Sequence, residues 1–534
     1  MSQSIQAAQE ESYGGSDNAS GSASLNAETA AALSLLDSRA VWALGLLLAF
    51  VLGRVTQKQK LPAGFKRLPK LAGLPYIGRP WGVPMSGADA AWYFSQLHKK
   101  YGPIYESEVT GTTHIWIEND KIARELLVHR GRKYGDGYEL PAGAGVLGGS
   151  EVLPLMGMGQ EFWRHKDALN RIANVEDVSF GYSELENKDT LRRVLDSPKE
   201  WSQHITTHCA RTAARVAWGD ARHGTKLMEI VQDLSKAGSP GSPPRQEADL
   251  RQQMKVAFFE ARDDVIARTQ AGTAEGSWMK LCLEKAGGLE KGNLSKQEAA
   301  LTVGTNALIA IAATGSPLHA FFTAMCSYSS WQPRLHEELD RVCGDRLPRT
   351  ADLPHLPVLR AVVKETLRWK QPMPLGLSRR TTEDDVYDGY YIPKGAVVHA
   401  NAYLISRESS KYPEAEEWRP ERWLEPSWPT YQEPLSEYPT IRGDAAFGYS
   451  THACPGIELA AIELYTTIGA IAWGYNFKRQ EGRQGCENAV PWYETNPYVM
   501  NVSSQFPCTV TPRSAEKARY MAGGCEDPSL LVKA

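Results

Sequence analysis

Cys454 carries the most pointed chemistry in this chain, within the run Phe447-Gly-Tyr-Ser-Thr-His-Ala-Cys454-Pro-Gly456-Ile-Glu-Leu-Ala460. A Gly- and Ser-containing loop delivers it just ahead of a helix expected from about Gly456 to Tyr475. Amides at a helix start are unpaired and carry partial positive charge, so they favour a thiolate over a thiol. Gly456 lets the backbone approach a flat ligand closely. A thiolate offered this way is a soft axial donor suited to haem iron. Taken alone, a single cysteine is as readily an inert core residue.

Upstream, Glu365 and Arg368 in Lys364-Glu365-Thr-Leu-Arg368-Trp369 stand at i and i+3 on one helical face. On a surface such a pair contributes only about 0.2–0.5 kcal/mol and is common. Other patterns fail on context. Gly143-Ala-Gly145-Val-Leu-Gly148 has dinucleotide-loop spacing, but Pro141 stands where the preceding strand should be. His204 and His208 have zinc-helix spacing, but Ile205 occupies the place of the general-base Glu. Asn18-Ala-Ser20 is a glycosylation sequon, used or unused.

The elements around these residues read as mostly helical with a minor sheet component. A helix over Ala90–Tyr101 stops at Gly102-Pro103, and Ile104–Ile117 alternates around Gly111 like a hairpin. Helical periodicity dominates from about 160 to 340, and Leu356–Lys370 ends at Gln371-Pro372. Short strands at Tyr390–Ile392 and Ala396–Ala400 precede a Pro- and Trp-rich irregular stretch, Tyr412–Gly443. Structureless runs of that length are usually functional.

The chain has 534 residues, 42% apolar and 23% charged, which suits a globular protein and excludes a disordered chain or a multi-span membrane protein. With 59 Lys+Arg against 62 Asp+Glu, it has no basic excess, and nucleic acid is not an expected partner. Its eight cysteines form no CxxC pair, as in a reduced, cytosol-facing protein. Residues 1–36 read as a disordered leader and 37–56, around the uncharged run Ala40–Gly53, as a membrane anchor. A buried core helix or a cleaved signal peptide would be the other readings of that run. Arg54, Lys58 and Lys60 follow it while Lys and Arg are absent before Arg39, which puts the body of the protein in the cytosol. A Pro-rich linker (57–84), a catalytic domain (85–515) and a tail (516–534) complete the expected organisation.

The Cys454 segment resembles the haem-binding loop of the cytochrome P450 superfamily, Phe-x-x-Gly-x-Arg-x-Cys-x-Gly. Phe447, Cys454, Pro455, Gly456, Leu459 and Ala460 match; Ser450 stands where Gly is usual and His452 where Arg is usual. Glu365 and Arg368 resemble the family's ExxR pair, and Trp418-Arg-Pro420-Glu421-Arg422-Trp423 its PERF-like segment. The resemblance, over roughly residues 60 to 515, implies the P450 fold and a haem b with Cys454 as axial ligand. It further implies that Arg422 closes a buried network with Glu365 and Arg368, and that His452 and Arg379 meet haem propionates. Trp163 matches the Trp of a Trp-x-x-x-Arg helix, but Asp167 holds the Arg position, leaving Arg164 or Lys166 as the propionate partner.

The family's central helix usually carries an acid–alcohol pair that relays protons to iron-bound oxygen. Here no Asp or Glu occurs from Leu301 to Ala320, so Thr314 and Ser316 are the expected relay hydroxyls, beside a helical Pro317. Two mechanisms follow: a monooxygenase using O2 and electrons, or a haem-thiolate isomerase or dehydratase needing none. With no flavin or iron–sulfur motif in the chain, electrons would come from NADPH–cytochrome P450 reductase, with cytochrome b5 as a second candidate donor. The resemblance implies a single-pass protein of the endoplasmic-reticulum membrane with its catalytic domain in the cytosol. Leu140–Val152, Ala307–Pro317, Met373–Leu377 and Asn501–Gln505 are expected to contact a lipophilic substrate, in the style of fungal secondary metabolism.

Overall fold

The computed structural model describes residues 61–73, 87–109, 111–137, 153, 156–173, 181–237, 244–285, 294–480 and 507–524, with isolated positions 42, 45 and 49. The leader, its sequon, nearly all of the expected anchor, the Gly143–Gly148 run and the segments 140–152 and 501–505 lie outside them. The three isolated positions are helical, and Trp42 is exposed.

Eleven helices of eight residues or more dominate the described residues: α1 Gly87–Tyr101, α2 Gln160–Ala173, α3 Tyr182–Asp196, α4 Trp201–Trp218, α5 Gly224–Ala237, α6 Pro244–Gln270, α7 Trp278–Lys285, α8 Lys296–Ser327, α9 Trp331–Cys343, α10 Pro357–Trp369 and α11 Ile457–Gly474. The strands are β1 Ile104–Val109, β2 Thr112–Ile117, β3 Asp136–Gly137, β4 Arg379–Arg380, β5 Asp385–Tyr387, β6 Tyr390–Ile392, β7 Val397–Ala400, β8 Tyr475–Arg479 and β9 Cys508–Pro512. The main sheet runs β1-β2-β7-β4-β3, with two-stranded pairs β5-β6 and β8-β9 beside it. β1 and β2 pair antiparallel across Gly111, which adopts φ 79° as the tight turn requires. β2 then pairs in parallel with β7, His114 opposite Val397 and Ile117 opposite Ala400.

α8 is the spine of the core. Ser295 caps it with a capping box: its hydroxyl accepts from Glu298 N and its own N–H donates to the Glu298 carboxylate. The helix is long and apolar enough to cross a membrane, but 78% of its most apolar window is buried in protein, as befits a core helix. It packs against α4, α6, α10 and α11. Gly304 makes the α6 contact feasible, because a Cβ there would fall 2.3 Å from the Phe258 ring. Gly219, at φ 72°, ends α4 with a left-handed cap.

Part of the Pro-rich stretch packs against the catalytic body. Leu68 and Leu71 are buried, and Leu71 N donates to Glu106 O at 2.8 Å. At the other end, Ser514 caps a short helix, Ala515–Arg519, and Met521 beyond it is buried. The stretch from 412 to 443 is turns and one short 3-10 segment, Pro420–Trp423, as its prolines require.

Several histidines are buried, hydrogen-bonded to one another or to hydroxyls. His114 Nδ1 and His399 Nε2 share a proton at 2.9 Å, with the Trp116 ring stacked 4.2 Å from His399. His208 lies between the hydroxyls of Thr190 and Thr467, at 2.9 and 3.0 Å, while His204 bonds the Ser197 carbonyl, so the two imidazoles do not converge on a metal. Burial lowers His114 and His208 to about 4 and carries His399 well below its ordinary value. The unfolded chain takes up protons near pH 6.5 and the folded chain does not, so stability should fall as pH drops from about 6.5 toward 4. Each such histidine should cost roughly 2–3 kcal/mol over that window. Denaturant unfolding followed at stepped pH checks this, and a flat profile would contradict it.

Candidate active site

Glu365 sits in the last turns of α10, fully buried with Arg368 and Arg422. Arg368 donates to both carboxylate oxygens at 2.8 Å, and Arg422 Nε adds a third bond at 3.2 Å. Arg419 N (2.8 Å) and Trp423 Nε1 (3.0 Å) complete the carboxylate's shell. The guanidinium groups spend their remaining donors on backbone carbonyls. Arg368 holds Ser406 O, Ala415 O and Glu417 O, while Arg422 holds Pro413 O and Glu414 O. Burial opposes both charges; Glu365 more than offsets this for Arg368, while Arg422 is left below its ordinary value. The structure thus brings together the three residues singled out in sequence. Arg360 extends the same service further along, donating to Pro439 O and Leu435 O.

The irregular chain pinned in this way leads into the cysteine loop. Asp444 caps a short turn ending at Phe447, Gly448 takes φ 74°, and Cys454 N donates to Phe447 O at 2.8 Å. Ser450 adopts φ 51°, the left-handed conformation that Gly takes freely and an L side chain pays strain to reach. The loop is therefore strained at Ser450. Gly131 lies beneath it, where a Cβ would come 3.0 Å from Ser450 Oγ and 2.8 Å from Leu127 O. Phe447 packs on the main core. Gly456, at φ −96°, needs no special conformation; a Cβ there would touch the Cys454 sulfur at 4.0 Å.

Cys454 is exposed along one side and closely surrounded on the others. Burial raises its thiol, with the Gly456 N–H opposing, so the helix start alone does not hold a thiolate. His452, expected at a propionate, directs Nε2 to Gly135 O at 2.6 Å, and its ring lies 4.7 Å from Phe162. Burial, then Arg379 and Lys166, lower it to about 3. Arg379 is buried in β4, its guanidinium brought down to about 9 by desolvation. Lys166 is lowered by burial and next by Arg379. Arg164 instead engages Glu161 and Glu298, which separates the two candidates. Trp163 is 42% exposed, with its ring edge on Phe162.

Along α8, between Thr302 and Met325, only Asn306, Ile309, Ala310, Ala312 and Ala313 are partly accessible. Their helical spacing defines one stripe. Ser316 continues it, at i+7 from Ile309 and i+3 from Ala313, and its buried hydroxyl has no partner among the described residues. Pro317 removes the N–H that would pair with Ala313 O. Thr314 donates to Ala310 O at 2.9 Å. Glu463 of α11 approaches the same hydroxyl; burial lifts its carboxyl to about 8 while Thr314 pulls the other way. Its signal in the sequence is a lone acid in an otherwise apolar helical run, Leu459–Gly474.

A relative, cytochrome P450 monooxygenase claR of Ampulloclitocybe clavipes, is 31% identical over 511 residues, spanning 89% of this chain and 90% of its own length. The chain belongs to the cytochrome P450 family. The family profile, Cytochrome P450, matches residues 246–492. Cytochrome P450 monooxygenase virE of Hypocrea virens is 27% identical, with 90% of each chain covered. Among solved structures, a zebra fish cytochrome P450 with abiraterone superposes at TM-score 0.67 over 79% of this chain and all of the other, at 17% identity. The fold is the P450 fold, and the protein is a P450 monooxygenase of fungal type whose cofactor is haem b on a cysteine thiolate. The residues present fit that group. A soft sulfur donor stands exposed on a tightly bonded loop, and beside it buried Arg379 lowers half-buried Lys166, a like-charge strain that an anionic group placed between them would relieve.

Glu365→Gln would leave two arginines short of their counter-charge and should cost about 3–5 kcal/mol, read as a drop in the denaturant midpoint. Ser450→Gly should stabilise by about 0.5 kcal/mol, as relief of the left-handed strain outweighs the added chain entropy, checked by thermal unfolding.

Proposed function

We propose that this P450 takes electrons from NADPH–cytochrome P450 reductase and oxidises a lipophilic small molecule of fungal secondary metabolism. The observation that carries the reading is the exposed Cys454 on its braced loop, in a chain related over nearly its whole length to fungal monooxygenases. When bound, the haem supplies an iron centre that activates O2 for transfer of one oxygen atom to substrate carbon. Cys454 would hold its iron, and Arg379 with Lys166 would meet its propionates. His452, its Nε2 committed to Gly135, acts in this reading by holding the loop against the 131–135 turn.

The accessible stripe of α8 offers a mostly apolar wall, Ile309, Ala310, Ala312 and Ala313, which suits an apolar substrate. Beside Asn306, the Ser316 hydroxyl and the Ala313 carbonyl, whose usual i+4 donor is replaced by Pro317, can hold a water and hand on its protons. Thr314 has its proton directed at Ala310 O and the Glu463 carboxyl at its back, so it can receive from that acid. The reading includes an anchor over residues 37–56 in the endoplasmic-reticulum membrane, catalytic domain in the cytosol, with cytochrome b5 as an alternative electron donor. The absence of a carboxylate from the stripe supports a second reading, an isomerase or dehydratase acting without electrons.

Microsomes carrying the protein, fed candidate terpenoids and polyketides and followed by mass spectrometry, distinguish the two. Product gaining one oxygen atom and formed only with NADPH and reductase is expected; full turnover without reductant would select the second reading. Cys454→Ser should abolish both turnover and the carbon-monoxide difference band of the reduced protein.

A further inference from the structure

Cys326 stands in the last turn of α8, and Cys508 opens β9. They are 182 residues apart in sequence, yet the Cys326 thiol donates to the Cys508 sulfur at 3.1 Å. Both are free thiols, and the gap is about 1 Å wider than the ~2.0 Å of a disulfide bond. Their surroundings differ in a useful way. Cys508 is buried in the main core, and the hydrogen bond from Cys326 together with burial pushes its thiol up. Cys326 is partly accessible.

The two elements that carry the pair are already clamped together. Gln332, on α9, donates to Met325 O of α8 at 3.0 Å and to Phe477 O of β8 at 2.8 Å, and accepts from Phe477 N at 2.9 Å, which ties β8 to the end of α8. The Phe477 ring meets Phe321 and Phe322 edge-on at 5.5 and 5.2 Å. β9 is held to β8 in turn, with Cys508 opposite Arg479. The sulfurs are therefore presented to one another by packed, hydrogen-bonded backbone rather than by mobile loops.

We propose that Cys326 and Cys508 are a peroxide-reactive thiol pair that closes into a disulfide, tying the end of the central helix to the terminal hairpin. The accessible Cys326 reacts first. Its sulfur attacks hydrogen peroxide, the O–O bond breaks, and a sulfenic acid and one water result. Cys508 then attacks that sulfur: the S–S bond forms, the S–O bond breaks, and the hydroxyl leaves as water with the Cys508 proton. Two thiols and one peroxide become one disulfide and two waters, and a dithiol reductant reverses the change. None of these steps depends on the haem.

Full-length protein, reduced and freed of reductant, is treated with a slight excess of hydrogen peroxide, capped with N-ethylmaleimide and mapped by mass spectrometry. The expected product is a peptide pair linked through Cys326 and Cys508, lighter by two hydrogens and split by dithiothreitol. The deeply buried Cys209 should stay free. In Cys508→Ser the sulfenic acid should persist on Cys326 and be trapped by dimedone, whereas in Cys326→Ser Cys508 should remain an unmodified thiol. Both wild-type thiols still capped after peroxide, or Cys326 carried to sulfinic acid with Cys508 free, would overturn the proposal without any need of the variants.

Discussion

The structure turns on one carboxylate. Glu365 lies fully buried between two arginines, and every polar group of the trio is used. Charges so placed are tolerated only when each finds a partner, because desolvation would otherwise dominate. The arginines spend their spare donors on carbonyls between residues 406 and 417, a stretch with almost no regular backbone pairing of its own. An irregular segment acquires in this way the fixed course that helices obtain from their own hydrogen bonds. The cysteine loop follows about 40 residues later in the same unbroken run and inherits its position from it.

The local chemistry of the site sits on top of that frame and is set by burial more than by charge pairing. Arg379, Lys166 and His452 are all lowered first by desolvation, and Arg379 then lowers both Lys166 and His452. Clustered cations of this kind are unfavourable in isolation and become favourable opposite an anion, which is the relationship a haem propionate supplies. Cys454 follows the same rule: burial raises the thiol while the Gly456 N–H opposes it, and a bound metal would favour the thiolate.

Much of this was legible in the sequence, and the residues show why. Gly102-Pro103, Gly111 and Gln371-Pro372 mark breaks that backbone sterics impose whatever the tertiary context, and the elements end there. Glu365, Arg368 and Arg422 were recognisable because their order and spacing resemble a known family. The choice between Arg164 and Lys166 was not legible: both lie on α2, and only the approach of Glu298 from α8 decides which is occupied. Glu463 was missed because its partner is 149 residues away, on Thr314, and no local pattern announces such a contact. The left-handed angle at Ser450 was visible only as a question, since a substitution for glycine can either move a backbone or strain it.

The parallel pairing of β2 with β7 has a consequence for the birth of the protein. Ile117 must wait for Ala400, 283 residues later, before its strand gains a neighbour on that side. At ribosomal speeds of roughly 5–20 residues per second, that is a delay of about 15 to 60 s. Throughout it the first hairpin offers a bare edge carrying Ile115 and Ile117 to the crowded surface of the nascent chain. The order of synthesis, no less than the final packing, leaves this sheet dependent on its last-made strands.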